Sequence, residues 1–153
     1  MVAKAFTGLL DGLKSIDIAV LVKASVEAHK AEIEDLNIEQ LNAGQDATGH
    51  AITPPYVPFT IIHKQAKNQP TDRVTLKDEG SFHKSIFVKT HQNAFEMDAT
   101  DPKTAALVGK YGEEILGLTD KNIDETAEII EETLVKSFEQ KFDNSTHAFK
   151  EPR

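Results

Sequence analysis

The chain has 153 residues, no cysteine, 17 basic against 25 acidic residues and a formal net charge of −8. That length suits one domain with a core that needs no staples, and the missing cysteine excludes disulfides, thiol catalysis and sulfur-bound iron or zinc. The basic residues are dispersed, which argues against a nucleic-acid reader, and no apolar run approaches the roughly 20 residues of a membrane span.

Residues 2–14 place Val2, Phe6, Leu9, Leu10 and Leu13 at helical spacing, weakened by Gly8 and Gly12. This short amphipathic helix either packs on its own domain or forms an interaction arm, residues 1–15, that docks on a neighbour. Asp11 interrupts the segment, so it does not read as a signal peptide. The spacing then predicts one helix over 17–41, with Asp17 as N-cap. Its stripe runs Ile18, Leu21, Val22, Ser25, Val26, His29, Ile33, Leu36 and Leu41. His29 in that stripe reads as a packing histidine.

Gly44 suits a helix C-terminus, "DATG" (46–49) a turn, and Pro54 and Pro55 an extended segment. Asp46 lacks the alternating oxygen ligands and closing glutamate of a calcium loop. Residues 57–69 waver between strand and helix. Pro58 at a first turn tips the balance to a short helix, with Phe59, Ile62, His63 and Ala66 on one face. Another short helix is expected from Leu76 to Ser85, capped by Asp78, with Gly80 allowing close backbone approach.

From Ile86 the period falls to two, and a β-hairpin is expected over about 86–99 around the turn "HQNA". A helix ending at Gly112 follows, with Ala105, Leu107, Val108 and Tyr111 as its apolar set. The last helix starts at Thr119 or Asp120 and carries Ile123, Ala127, Ile130, Leu134, Phe138 and Phe142 as its stripe. The fold class is therefore α+β: a long N-terminal helix, short helices, a small antiparallel sheet and a long C-terminal helix. Residues 1–142 form the domain and 143–153 a flexible tail. A lone hairpin is marginal in water, so it must pack on the long helices or join a sheet shared between subunits.

Catalytic grammar is sparse. The chain has no nucleophile elbow, no H-E-x-x-H, no Walker loop and no dinucleotide fingerprint. Its best acid–base set is His63, Asp72, Asp78 and His83, and almost any domain of this size offers such a pair. The expectation is a protein that is not an enzyme, with no cofactor and no metal.

The region 46–87 is more informative. It runs through Asp46 and Gly49 to "PPYVPFTIIHK", a polar spacer and "RVTLKDEGSFHKSIFV". The order of Tyr56, Pro58, Thr60, Lys64, Leu76, Gly80, Phe82, Ser85 and Ile86 resembles that of small virion-assembly proteins of tailed phages. These are tail-completion and minor tail proteins at the neck, between portal and tail. The resemblance covers about a third of the chain. It implies an α+β fold and a structural role in a ring that bridges portal and tail. Its partners would be copies of itself and the portal or adaptor and tail proteins, with DNA passing through the channel unbound. It also implies location in the virion after assembly in the host cytoplasm. Tyr56, Thr60, Lys64, Leu76, Asp78, Gly80, Phe82, Ser85 and Ile86 would be its structural or interaction residues. Two alternatives remain: a small cytoplasmic protein-binding or regulatory module, and a His/Asp acid–base enzyme.

Overall fold

The computed structural model describes residues 2–147, with side chains from Thr7 onward. Its elements run α1 (Val2–Lys14), α2 (Ile18–Ala28), α3 (Lys30–Asn42), α4 (Pro58–Ala66), α5 (Ser81–Ser85), β1 (Ile86–Thr90), β2 (Phe95–Ala99), α6 (Thr104–Tyr111), a 3₁₀ turn (Glu113–Ile115) and α7 (Asp120–His147). This is an α+β architecture: helices around one antiparallel hairpin. No helix among the described residues is long and apolar enough to cross a membrane.

The expected 17–41 helix is present but broken. Asp17 caps α2 by accepting from the amides of Ala19 and Val20 at 3.0 and 3.3 Å. At His29 the backbone leaves helical geometry, with φ −116° and ψ 19°. No glycine or proline causes this. The His29 ring bonds Glu32 Oε1 through Nδ1 and, through Nε2, Thr133 Oγ1 on α7, both at 2.8 Å. The break thus sits where the long C-terminal helix grips the chain, and α3 continues the apolar face in a new direction. Gly44, at φ 78°, closes α3 with paired bonds: its own amide to Leu41 O and that of Gln45 to Gln40 O. That is a Schellman closure.

The core lies between α2, α3, the hairpin and the segment before α7. Ile33, Leu41 and Ile115 are fully enclosed, with Val88, Val26, Val74, Ile86 and Phe82 around them. Each such aliphatic side chain stabilises the fold by about 1.5–3 kcal/mol relative to exposure. A polar clamp holds the 115–122 segment onto α3. Asn37 Nδ2 donates to Gly117 O at 2.8 Å, Gln40 Nε2 donates to the same oxygen at 3.1 Å, and Gln40 Oε1 accepts from the Thr119 amide at 3.0 Å. Thr119 in turn accepts from the Asn122 amide and so caps α7.

The hairpin pairs Ile86 with Ala99, Val88 with Met97 and Thr90 with Phe95. Among the described residues no third strand joins it. Helices supply what another strand would. The Val88 amide donates to Glu34 Oε1 of α3 at 2.9 Å, and Thr90 Oγ1 donates to Glu27 of α2. Ile86, Val88 and Met97 turn inward onto those helices, so the edge is covered by carboxylates.

Several expectations are corrected. The helix expected from Leu76 shrinks to α5, because Val74–Leu76 are buried in an extended strap and Leu76 takes a left-handed φ of 54°. Asp78 caps nothing; it pairs with Lys67, and Gly80 occupies the N-cap position of α5. Gly80 is required for its φ of 88° and not for close approach, since a Cβ there would meet nothing within 4 Å. On α7 the expected stripe holds from Ile130, with Leu134, Phe138 and Phe142 half-buried, but not before it. Thr126 is buried and Ile129 and Ile130 pack on the core, while Ile123 and Ala127 face outward.

The N-terminal helix α1 lies along α7. Gly12 is the contact point: a Cβ there would stand 2.7 Å from Ser145 Oγ. Of the apolar residues expected on this helix, Leu9, Leu10 and Leu13 stay partly exposed, and the side chains of Val2 and Phe6 lie outside the described ones. Helix α7 runs to His147, so residues 143–147 of the expected tail are helical; 148–153 lie outside the described residues.

Candidate functional site

Helix α4 begins at Pro58, whose ring sets the first helical φ, and its first turn closes through the Ile61 amide on Val57 O. The face expected to gather Phe59, Ile62, His63 and Ala66 is turned to solvent. Phe59 is 80% exposed, Ile62 65% and Val57 55%, and the residue that α4 buries is Lys64, at 5%. Three exposed apolar side chains within six residues make a knob on the surface.

Lys64 is turned inward because the strap 74–80, Gln69 and Tyr56 give its ammonium partners. Nζ donates to Lys77 O at 2.6 Å and to Gln69 Oε1 at 3.1 Å, and it lies 4.8 Å from the centre of the Tyr56 ring. Its three donor directions are thereby used. Tyr56 Oη accepts from the amides of Thr75 and Leu76 at 2.9 and 3.3 Å. Gln69 Nε2 donates to Asp78 O at 2.6 Å, and His83 Nε2 donates to Thr75 O at 2.7 Å. Side chains from α4, α5 and the segments flanking α4 therefore hold the strap, with its left-handed Leu76, in place.

Between α4, this strap and α6 lies a cleft of about 330 Å³. Seven of the nine residues singled out in the sequence line it: Tyr56, Thr60, Lys64, Leu76, Asp78, Gly80 and Phe82. Ser85 and Ile86 do not. Ser85 Oγ donates to Phe82 O and accepts from the Asp101 amide, which fixes the turn into the hairpin, and Ile86 is core. Sequence reading missed Gln69 and Thr75, which act through backbone contacts, and Lys103, Leu107 and Tyr111, which α6 brings to the opposite wall. Only folding places α6 there; no local pattern announces it.

The electrostatics follow from the neighbours. Lys67 holds the Asp78 carboxyl below its ordinary value, and the charges of His63 and Lys103 act in the same direction. Burial lowers the pKa of His83, against the opposing pull of the Thr75 carbonyl; the nearby Lys77 and Lys64 push the same way as burial. The acid–base set is not assembled as a dyad. His63 and Asp78 line the cleft, His83 bonds a carbonyl and Asp72 bonds Arg73, and no hydrogen bond joins a histidine to either aspartate among the described residues. Nor do they include a group of three or more His, Asp or Glu placed to hold a metal.

A second concavity lies elsewhere. It is a groove of about 810 Å³ between the start of α2, the hairpin turn, residues 116–118 and the first turns of α7. Ile18, Val22, Phe95, Leu118, Ile123 and Ile130 give it an apolar lining, with Lys23, His91 and Glu96 also on its wall. It shares no lining residue with the cleft. Comparison of the chain with known protein families, characterised proteins and solved structures gave no match.

Proposed function

We propose that this chain is a structural virion protein of a tailed bacteriophage that forms or completes a ring at the portal–tail junction. Two things support the reading. One is the resemblance carried by residues 46–87. The other, which carries the argument, is the pair of separate apolar surfaces: the α4 knob beside the cleft, and the groove on α2, the hairpin and α7. A closed ring is built head to tail, so each subunit must offer two different patches that complement each other. A two-fold dimer needs only one. The net charge of −8 fits a wall past which DNA slides without sticking.

The role is tested by quantitative mass spectrometry of purified phage particles from the source. Copies in a simple ratio to the portal protein would support a neck or tail ring and set its symmetry. Absence of the polypeptide from particles would overturn the reading.

A further inference from the structure

We infer that the α4 knob of one copy seats in the α2–hairpin–α7 groove of the next copy. The inference rests on the reading of the chain as a ring subunit and names the faces that meet. Three observations carry it.

The first is shape and polarity. Phe59, which also borders the cleft, and Ile62 are exposed on α4, while the groove presents an apolar lining with Ile18 and Ile123 exposed within it. Its volume lies in the range of concave sites that enclose several apolar groups.

The second is charge. The cleft wall beside the knob carries Lys77 and Lys103, neither in an ion pair among the described residues, with Glu79 and with Asp78, which Lys67 engages; Asp101 lies close to Lys103. Beside the groove the exposed side of α7 continues from Ile123 into Asp124, Glu128 and Glu131, spaced to form one stripe. None of these three carboxylates has an ion-pair partner among the described residues. Residues 120–132 hold six carboxylates and one lysine. The groove's own cations are Lys23 and His91, and His91 is turned to Glu96. Lys77 and Lys103 are therefore the cations near the knob left to meet the unpaired carboxylates beside the groove.

The third is symmetry. A two-fold contact of α4 on α4 would bury the knob against itself and leave the groove empty. The knob-to-groove contact avoids this. Because its two faces are disjoint, it leaves a knob and a groove free to propagate a ring.

The test uses the full chain at high concentration with Phe59 replaced by a photoactivatable benzoylphenylalanine. Illumination should join copies, and digestion should place the adduct in residues 18–26, 90–97 or 116–131. Lys77→Glu with Lys103→Glu should lower the yield by about tenfold, as should Asp124→Lys with Glu128→Lys on the partner face. Mixing the two charge-reversed chains should restore it. Thermal melts of each variant establish that it is folded. No adduct between copies, an adduct on another face, or a yield indifferent to charge reversal would each overturn the contact. Particles are scored separately. Wild-type incorporation of the Lys77→Glu/Lys103→Glu chain would overturn this contact and leave the ring reading standing. Groove adducts from a chain absent from particles would keep the contact and remove the virion reading.

Discussion

The ammonium of Lys64 donates to the carbonyl oxygen of Lys77 at 2.6 Å, from a position only 5% exposed on a helix whose apolar side chains face solvent. This pair inverts the usual arrangement of an amphipathic helix. The cation is inside because the strap offers it a carbonyl, Gln69 an amide oxygen and Tyr56 an aromatic face. The apolar residues are left outside, where they form the knob.

Lys64→Met keeps the length of the side chain and removes its donors. Lys77 O and Gln69 Oε1 then lose a partner in a part-buried site. A loss of about 1–3 kcal/mol is expected, read as a lower urea midpoint with an unchanged slope. Unchanged stability would mean that water replaces the ammonium and that the strap is not anchored there.

Gly80→Val should destabilise by about 1–2 kcal/mol, because a branched residue resists the φ of 88°. Gly80→Asn should cost clearly less, since asparagine tolerates left-handed geometry. Equal losses for the two would point instead to a steric contact, which a Cβ at this position does not meet.

At Gly12 the mechanism is the reverse, for its backbone is helical and its surroundings are crowded. Gly12→Leu would drive a side chain into Ser145, whose Oγ would lie 2.7 Å from the new Cβ and already donates to Phe142 O. Helix α1 should lift from α7. Limited proteolysis should cut before residue 17 faster in the variant, while the denaturation midpoint of the rest moves little. A wild-type digestion pattern would count against the Gly12–Ser145 contact as the hold on α1.

The buried His83 makes stability depend on pH. Its folded-state pKa lies below the ordinary value of 6.5, mainly through burial. The unfolded chain therefore takes up this proton first as pH falls. The contribution is fully present above pH 6.5 and declines below it, down to the lowered folded-state value, with a slope of at most about 1.4 kcal/mol per pH unit. His83→Gln keeps a donor for Thr75 O and removes the titration. Urea midpoints at pH 7 and pH 5 should differ more for the parent chain than for the variant. Lowered carboxylates such as Glu27 and Glu96 act only below their ordinary value of 4.5, outside that window. Parallel midpoints in the two proteins would show that His83 does not gate stability.

Much of the fold was readable from local pattern, because local chemistry decides it. Asp17 as N-cap, Pro58 at a first turn and the period-two run from Ile86 each act within a few residues and appear as expected. So does the stop at Gly44, set by its own φ. The sequence singled out Tyr56, Lys64, Leu76 and Phe82 by their order along the chain, and that order did not announce the cleft they line.

Tertiary structure decided the rest, wherever two patterns of similar strength competed for the interior. The stripe on α4 and that on α7 both named apolar residues, yet Phe59, Ile62 and Ile123 lie outside while Lys64 and Thr126 lie inside. A helix can be rotated by a turn of its neighbours at little cost to its own hydrogen bonds, so the side it buries depends on what faces it. Here those partners are the strap carbonyl at Lys77 and the packed surface of α2 and α3. At the break between α2 and α3, His29 likewise meets a distant segment, bonding Thr133, 104 residues away in the chain. Composition, caps and period set which segments become helix or strand; contacts between distant segments set which face each one hides, and so which surfaces are left to meet a partner.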